Sequence, residues 1–564
     1  MPAVKHMKWH GWGVEGVSFH HEDKPGLRPF VLEIIDLDLA TPPGRQTRLE
    51  DLPIPAPQIG DALLEQLVEI VGLDNVVSED EDRIVHTYGK SIRDLIRLRA
   101  GDIPRVPDVV VYPADEAEVQ RVVDAAVAAD AVLIPFGGGS NIAGSLQPPE
   151  DETRTVISVD LGRLNKVLEI DEDSGLARIQ AGALGPDIEE QLGARGWTLG
   201  HFPDSFTHST MGGWVATRSS GMQSDKYGDI ADITRGLRMV MPGRVLEVRA
   251  LPSTSSGPSV REMVLGSEGR LGVITEVSAQ VHRIPEQRLI LGYLFPSFEA
   301  GVAAMQEIST SDASPSITRV SDANETRFSF STRKKSKGIS VSSLVSKGLM
   351  KVLARRGWDL DAVCLSFVGY EGGPDHVSRQ KAIVKKIIAS HGGIVLGRGP
   401  GELYDQKKFD TPYIRDFLLD RGAAADVSET GAPWSRLIPL YDNVTAAARK
   451  SFAQLGVQGF IMCHLSHSYH SGACLYFTFA FKHDGREPLV QYDVVKSAVQ
   501  QAFVDSHGTL SHHHGVGTEH APWLADDISP AGVAMTEALF AGVDPGHNLN
   551  PGKITVTNPR TSRA

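Results

Sequence analysis

Hydrophobic positions are sparse and irregular over the first stretch of the chain. "TPPGRQTRLEDLPIPAPQIGD" is rich in proline and polar residues, and a helical stripe emerges only after it, in "ALLEQLVEIVG". Residues 1–100 therefore read as a partly helical lead-in. At "PDVVVYPADEAEVQRVVDAAVAADAVLIPFGGGSN" the texture changes. Val109 to Val111 form a β-branched run before Pro113. Asp115 and Glu118 then stand at capping-box spacing, and Val119, Val122, Val123 and Ala126 recur along one helix face. A second apolar run, "AVLIPF", ends in three glycines, so the order is strand, helix, strand, glycine loop. Short strands are predicted over "TVISVDL", "KVLEID" and "LARIQAG". A helix opens at Pro186, where proline suits the first turn, and the alternation of "GVITEVSAQVHRI" predicts a further strand. Longer helices mixed with strands follow to about residue 510.

Length changes the picture first: 564 residues exceed one hydrophobic core, so two or more domains are expected. The composition is that of a globular chain, with 41% hydrophobic and 22% charged residues. No apolar run approaches the roughly 18 residues that span a bilayer. The start, "MPAVKHMKWHGWG", has no signal architecture, and "TSRA" at the end does not match the peroxisomal address, so a cytoplasmic location is expected. Three cysteines without a CxxC argue against disulfides and against a structural zinc site.

A net charge of -14 disfavours nucleic acid as a partner. One stretch breaks that balance: residues 333–356 carry eight basic side chains and no acid. Two readings stay open for it, a solvated insertion and a peripheral contact with anionic membrane or a lipid-like substrate.

Candidate chemistry begins with "PFGGGSNIAG" at 135–144. Glycines after a strand can turn successive N–H groups toward one anion. The spacing is not GxGxxG, and "DPGHNLNPGKI" fails as a phosphate loop because Lys553 is followed by Ile554. Two more loops rich in glycine and hydroxyls follow, "GHFPDSFTHSTMGGWVATRSSGMQSDKYGDI" and "GSEGRLGVITE". Three such loops within about 140 residues suit an extended dinucleotide more than a mononucleotide.

The order "PFGGGSN", "PDSFTHSTMGGWVATRSSGM", "GSEGRLGVITE" resembles the vanillyl-alcohol-oxidase class of FAD-binding proteins. "MKWHGWG", "RVPDVVV", "DETRTVIS", "PYIRD", "APW", "GACLYFTFAF" and "TLSHHHGVG" extend the likeness nearly end to end to the alkyl-dihydroxyacetone-phosphate synthase family. The resemblance implies an α+β chain: a two-part PCMH-type FAD-binding domain over 101–285, a substrate-binding α/β cap over 286–510, and a segment 511–564 returning to the flavin. It implies a homodimer. FAD is expected to be noncovalent, since the glycine loop offers no histidine tether.

Pro135, Phe136, Gly137, Gly138, Gly139, Ser140, Asn141 and Ile142 would cradle the pyrophosphate. Asp204, Ser205, Thr210, Gly213, Ser219, Ser220, Gly221 and Met222 would line the flavin, with Glu268, Gly272, Val273 and Ile274 nearby. The implied reaction exchanges the acyl group of acyl-dihydroxyacetone phosphate for a fatty alcohol through a flavin N5 adduct, with no net redox. Tyr476 would handle the proton, His514 would be the catalytic histidine with His512 and His513 beside it, Arg415 and Arg319 would hold phosphate, and His201 would meet the flavin edge. Taken alone, Tyr476 reads as core filler, Arg415 with Asp416 as a local ion pair, and His201 as a loop cap.

One departure stands out: His464, His467 and His470 replace non-histidine residues of that family. On a strand, i and i+3 face opposite sides, so a three-histidine cluster there is not expected. His464 or His467 could still meet His512–His514 across space as a metal site. Consecutive histidines diverge, so "SHHHGVG" is not expected to clamp one ion. An FAD-linked oxidoreductase of a 2-hydroxy acid or alcohol is the alternative, although its "HGDGNLH" signature is absent. A flavin-binding scaffold docked to a membrane is the non-enzymatic alternative.

Overall fold

The computed structural model describes residues 4–44, 47–334, 348, 351–407, 409 and 411–555. Most of the basic stretch 333–356 thus lies outside the described residues. Among the described residues no helix is long and apolar enough to cross a membrane.

Val109–Val111 forms a strand in which all three side chains are fully buried, because both faces of its sheet are covered. Val109 and Val111 meet the helices Asp61–Val71 and Glu116–Ala128, while Val110 packs with Val77 and Tyr112 on the other side. Asp115 caps the second helix by accepting from the Glu118 N–H at 2.8 Å. Glu118 reaches back one residue further than a capping box requires, to the Ala114 N–H. The strands Val109–Val111, Val156–Asp160 and Val132–Phe136 run parallel, and Val76–Val77 joins antiparallel at the edge.

A five-stranded antiparallel sheet follows, in the order Val167–Asp171, Leu176–Gln180, Val273–Gln280, Thr234–Met241, Arg244–Val248. It shares one hydrophobic core with the first sheet.

The second half is a seven-stranded antiparallel sheet with helices laid on one face. Its strand Gly472–Lys482 shows the period of two: Phe477, Phe479 and Phe481 pack into the helical side, against Phe503, Tyr492 and Phe452. Tyr476, Thr478 and Ala480 take the opposite phase and line the cavity described below. That face is closed by the N-terminal helix Leu27–Ile35, whose Leu27, Phe30, Val31 and Ile35 pack with Leu418, Ala425 and Ala480.

The chain then returns to its first sheet. Leu133 donates to the Asn548 carbonyl at 2.7 Å, and Asn550 donates to the Leu133 carbonyl at 2.9 Å. A segment more than 400 residues downstream thereby extends the first sheet.

Candidate active site

A cavity of about 290 Å³ lies between the two halves. Its first wall is the backbone of Pro135–Ile142, and Thr210, Gly213, Ser219, Glu268, Gly272 and Ile274 line the same region with Asp204 and Ser205. The glycines are required by contact. A Cβ on Gly138 would sit 1.7 Å from the His208 carbonyl oxygen, one on Gly137 would sit 2.4 Å from Thr210 Oγ1, and Gly139 has φ +67°. Among the described residues, the N–H groups of Gly138, Gly139 and Ser140 have no acceptor. Free N–H groups on a side-chain-free loop fit a pyrophosphate.

The other end of the cavity is apolar, with Phe30, Ile34, Phe328, Ile414, Leu418 and Phe460 among its walls. Arg415, Tyr476, His513 and His514 also line the cavity. Arg415 donates to the Lys90 carbonyl at 2.6 Å and to Asp416 at 3.2 Å, so the local ion pair and the cavity position coexist.

"SHHHGVG" wraps around a carboxylate. Glu429 is buried on the strand Ala423–Pro433, directly opposite Tyr476 in the ladder. It accepts from Ser511 Oγ at 2.8 Å and from the N–H groups of His512, His513 and His514 at 2.5, 3.1 and 3.1 Å. Burial alone would raise its pKa. The three imidazoles and the N–H donors outweigh burial and hold it well below the usual carboxylate range. Burial pushes His513 down to about 4, against the pull of Glu429, and lowers His514 well below its ordinary value. Burial, with Asp204 and Glu429 nearby, raises the Tyr476 phenol.

The end of the loop is fastened to the side of the cavity formed by the glycine loop. Glu268 accepts from the N–H groups of Val516 at 2.6 Å and Gly517 at 2.9 Å, and from Ser145 Oγ at 2.7 Å. Gly517, at φ +54°, passes so close that a Cβ would lie 1.8 Å from the Ala143 carbonyl.

A smaller chamber adjoins the first cavity and shares Pro203, Asp204, Tyr476 and His513 with it. Its other walls include Ser220, Met222, Arg319, Tyr404, His464 and His467. Here the strand rule fails. A bulge between Ser466 and Ser468 puts His467 at φ +50°, and the local shift of phase brings His464 and His467 to the same chamber. His470 lies beyond, exposed in the turn. His467 Nδ1 is 2.6 Å from Ser224 Oγ, and its ring lies 5.4 Å from those of both His512 and His513. Glu325 holds Arg319 at 2.5 Å and His464 Nδ1 at 2.8 Å, and the His464 ring stacks on Tyr476 at 4.9 Å.

Four expected residues line neither space: His201, Gly221, Val273 and His512. His201 is fully buried behind the wall, with Nε2 3.3 Å from Ser219 Oγ, and burial lowers it to about 3. His512 stands behind His513, Nδ1 to Nδ1 at 3.0 Å. The residues that sequence reasoning missed are Glu429 and Glu325. A signal existed for Glu429: a lone Glu amid the small residues of "AAADVSETGAP" is out of place in a buried strand. Among the described residues, ligand-type atoms come close together in a group of four, Glu429, Cys474, His512 and His513, and in a group of three, His6, His86 and Asp160. In both, hydrogen bonds within the group already satisfy the carboxylate.

Residues 107–249 match the FAD binding domain family, and residues 284–554 match the family of FAD linked oxidases, C-terminal domain. The p-cresol methylhydroxylase structure shares the fold, with a TM-score of 0.64 at 15% identity, covering 89% of this chain and 98% of that one. Cradle, domain matches and fold together define an FAD-dependent enzyme built on the two-domain PCMH-type architecture.

Within that class the likeness narrows. The alkyldihydroxyacetonephosphate synthase of Dictyostelium discoideum is 38% identical, covering 98% of this chain and 94% of its own. That of Trypanosoma brucei brucei is 34% identical, covering 99% and 94%. A solved alkyldihydroxyacetonephosphate synthase superposes with a TM-score of 0.85 at 35% identity, covering 97% of this chain and 98% of that one. The chain belongs to the alkyldihydroxyacetonephosphate synthase family.

Proposed function

We propose that this enzyme exchanges the acyl group of acyl-dihydroxyacetone phosphate for a long-chain alcohol, releasing a fatty acid and forming an ether-lipid precursor without net redox. The observation that carries the reading is the junction at Tyr476 and His513. From it an apolar channel leads one way, and a small polar chamber holding Arg319 leads the other. A substrate with a lipid chain on one side of the reacting carbon and a phosphate on the other matches that division.

When bound, FAD supplies the electron-poor ring beside which acid leaves and alcohol enters. The chain's own residues do the rest. Pro135–Ile142 would hold the pyrophosphate. The walls of the leading helix and of the cap exclude water from the alkyl chain. Arg319 lines the polar chamber, where its guanidinium would meet the phosphate, while Arg415 lines the larger cavity with its guanidinium on Asp416 and the Lys90 carbonyl. Tyr476, His513 and His514 line the cavity, and a C1 proton would be taken and returned by this group.

The test is anaerobic mixing of the yellow protein with acyl-dihydroxyacetone phosphate and a long-chain alcohol. Ether product without flavin bleaching supports the reading. Bleaching by a 2-hydroxy acid or an alcohol, with no ether formed, establishes the oxidoreductase instead. Acid precipitation that frees the colour supports noncovalent FAD. The lipid substrates and the eight basic residues of 333–356 support a peripheral position on the cytoplasmic face of an anionic membrane, tested by vesicle flotation at low and high salt.

A further inference from the structure

His512 lies outside the cavity, yet it belongs to a continuous chain of hydrogen bonds that ends inside it. The chain starts at Asp229, the residue that caps the short helix Ile230–Ile233. The Asp229 carboxylate accepts from Ser220 Oγ and, at 2.7 Å, from the Tyr469 hydroxyl. A carboxylate only accepts, so the Tyr469 proton points to Asp229. The Tyr469 oxygen also lies 2.6 Å from His512 Nε2, and with its own proton committed it accepts there. His512 therefore carries its proton on Nε2.

The next contact sets two like atoms face to face: His512 Nδ1 and His513 Nδ1 are 3.0 Å apart. One proton must lie between them. A proton on His512 as well would make that ring a buried cation, so the proton resides on His513 Nδ1. His513 is then left with a bare Nε2, on a ring that lines both the flavin cavity and the polar chamber and stacks on Tyr476 at 5.9 Å.

We infer that Asp229, Tyr469 and His512 are positioning residues of a proton relay that fixes His513 with Nε2 free, making His513 the imidazole that takes the substrate proton. The inference rests on the reading that the reaction removes a C–H proton. In that step the bonding electrons stay on carbon and the proton goes to His513 Nε2. The Nδ1 proton shifts toward His512, whose own Nε2–H remains on Tyr469. The positive charge so formed spreads over two rings and moves toward Asp229.

Other charges act on His513 too. Glu429 Oε2 is 3.8 Å from Nδ1, outside hydrogen-bond reach, and the rings of His514, His467 and Tyr476 surround it. His464 and His201 are coupled to it from further away. Glu429 faces Nδ1 and favours a proton there, the same nitrogen that the contact with His512 selects.

The test is Tyr469→Phe in the FAD-loaded protein, which keeps the ring and removes one oxygen. Ether-forming kcat is expected to fall at least tenfold with both KM values unchanged. The limb of the pH–kcat profile set by the base should move to lower pH, because the imidazolium loses its relay. Nitrogen-15 spectra of histidine-labelled wild type should show His513 protonated at Nδ1 and His512 at Nε2, and the variant should lose that single pattern. Activity within twofold of wild type with an unmoved limb, or wild-type His513 protonated at Nε2, overturns the relay. The spectra do not depend on the assigned reaction. Wild type that shows the tautomers but makes no ether refutes the reaction and leaves the relay standing.

Discussion

Glu429→Gln isolates the grip on the triple-histidine loop. Oε1 accepts from Ser511 Oγ and from the N–H groups of His513 and His514, and Oε2 accepts from the N–H of His512 at 2.5 Å. A glutamine with its oxygen at the Oε1 position keeps three of these bonds. Its NH2 then faces the His512 N–H, donor against donor. One charge-assisted bond worth about 1.5–3 kcal/mol becomes a repulsion, and the other three weaken toward neutral strength, together by about 3 kcal/mol. Against this, a buried carboxylate no longer needs to be desolvated, which returns a few kcal/mol. The net is about 2–4 kcal/mol against the closed loop. Hydrogen exchange of the FAD-loaded protein, followed on a peptide spanning 510–518, reads the loop directly. The amides of 512–514 should exchange about 30- to 900-fold faster, with the strand 423–433 unchanged and turnover reduced. Protection within threefold of wild type would refute the idea that this carboxylate holds the loop.

Other expectations follow from the same geometry. Gly138→Ala forces a methyl to within 1.7 Å of a backbone carbonyl, so the purified variant should be folded but lack flavin absorbance. His514→Ala should remove turnover and keep FAD at wild-type stoichiometry; loss of FAD would make that histidine structural. Glu325→Gln tests the Arg319–His464 bridge through pH. Arg319 and His464 overcome the burial that would raise Glu325 and hold it at about 2, below the 4.5 of a free glutamate. A depressed carboxyl stabilises above its unfolded pKa, so the variant should be about 3 kcal/mol less stable at pH 7 by urea unfolding. That gap should close as pH falls from about 4.5 toward 2, and a gap independent of pH would show that the charge is not the cause.

Legibility differed by feature for physical reasons. The glycine loop was readable because glycine at close approach leaves a mark in composition, and Gly137, Gly138 and Gly139 carry it. The strand of Tyr476 was readable because period two survives a ladder of eleven residue pairs. The bulge at His467 was not, since its positive φ falls on a histidine rather than a glycine, and the pattern alone kept His464 and His467 apart. Nor could the sequence say that His512 would stand behind His513. Placement of consecutive side chains in a loop depends on what the backbone grips, and Glu429 lies 83 residues upstream.

The same facts explain how so late a segment comes to line the cavity. His513 and His514 must be fixed to both halves of the molecule, because the flavin cradle belongs to one and Tyr476 to the other. Glu429 supplies the anchor on the cap sheet, and Glu268 supplies the anchor beside the cradle through Val516 and Gly517. Seven consecutive residues thus bridge two carboxylates, one from each domain, and the imidazoles lie between them. A loop held only by the cap would let the histidines move whenever the domains shift. Held at both ends by buried carboxylates, it ties the position of the imidazoles to the position of the glycine loop. A Cβ at Gly517 would lie 1.8 Å from the Ala143 carbonyl oxygen and one at Gly515 2.8 Å from Glu268 Oε1, so glycine at these positions, φ +54° and +88°, lets the loop come close enough to reach both.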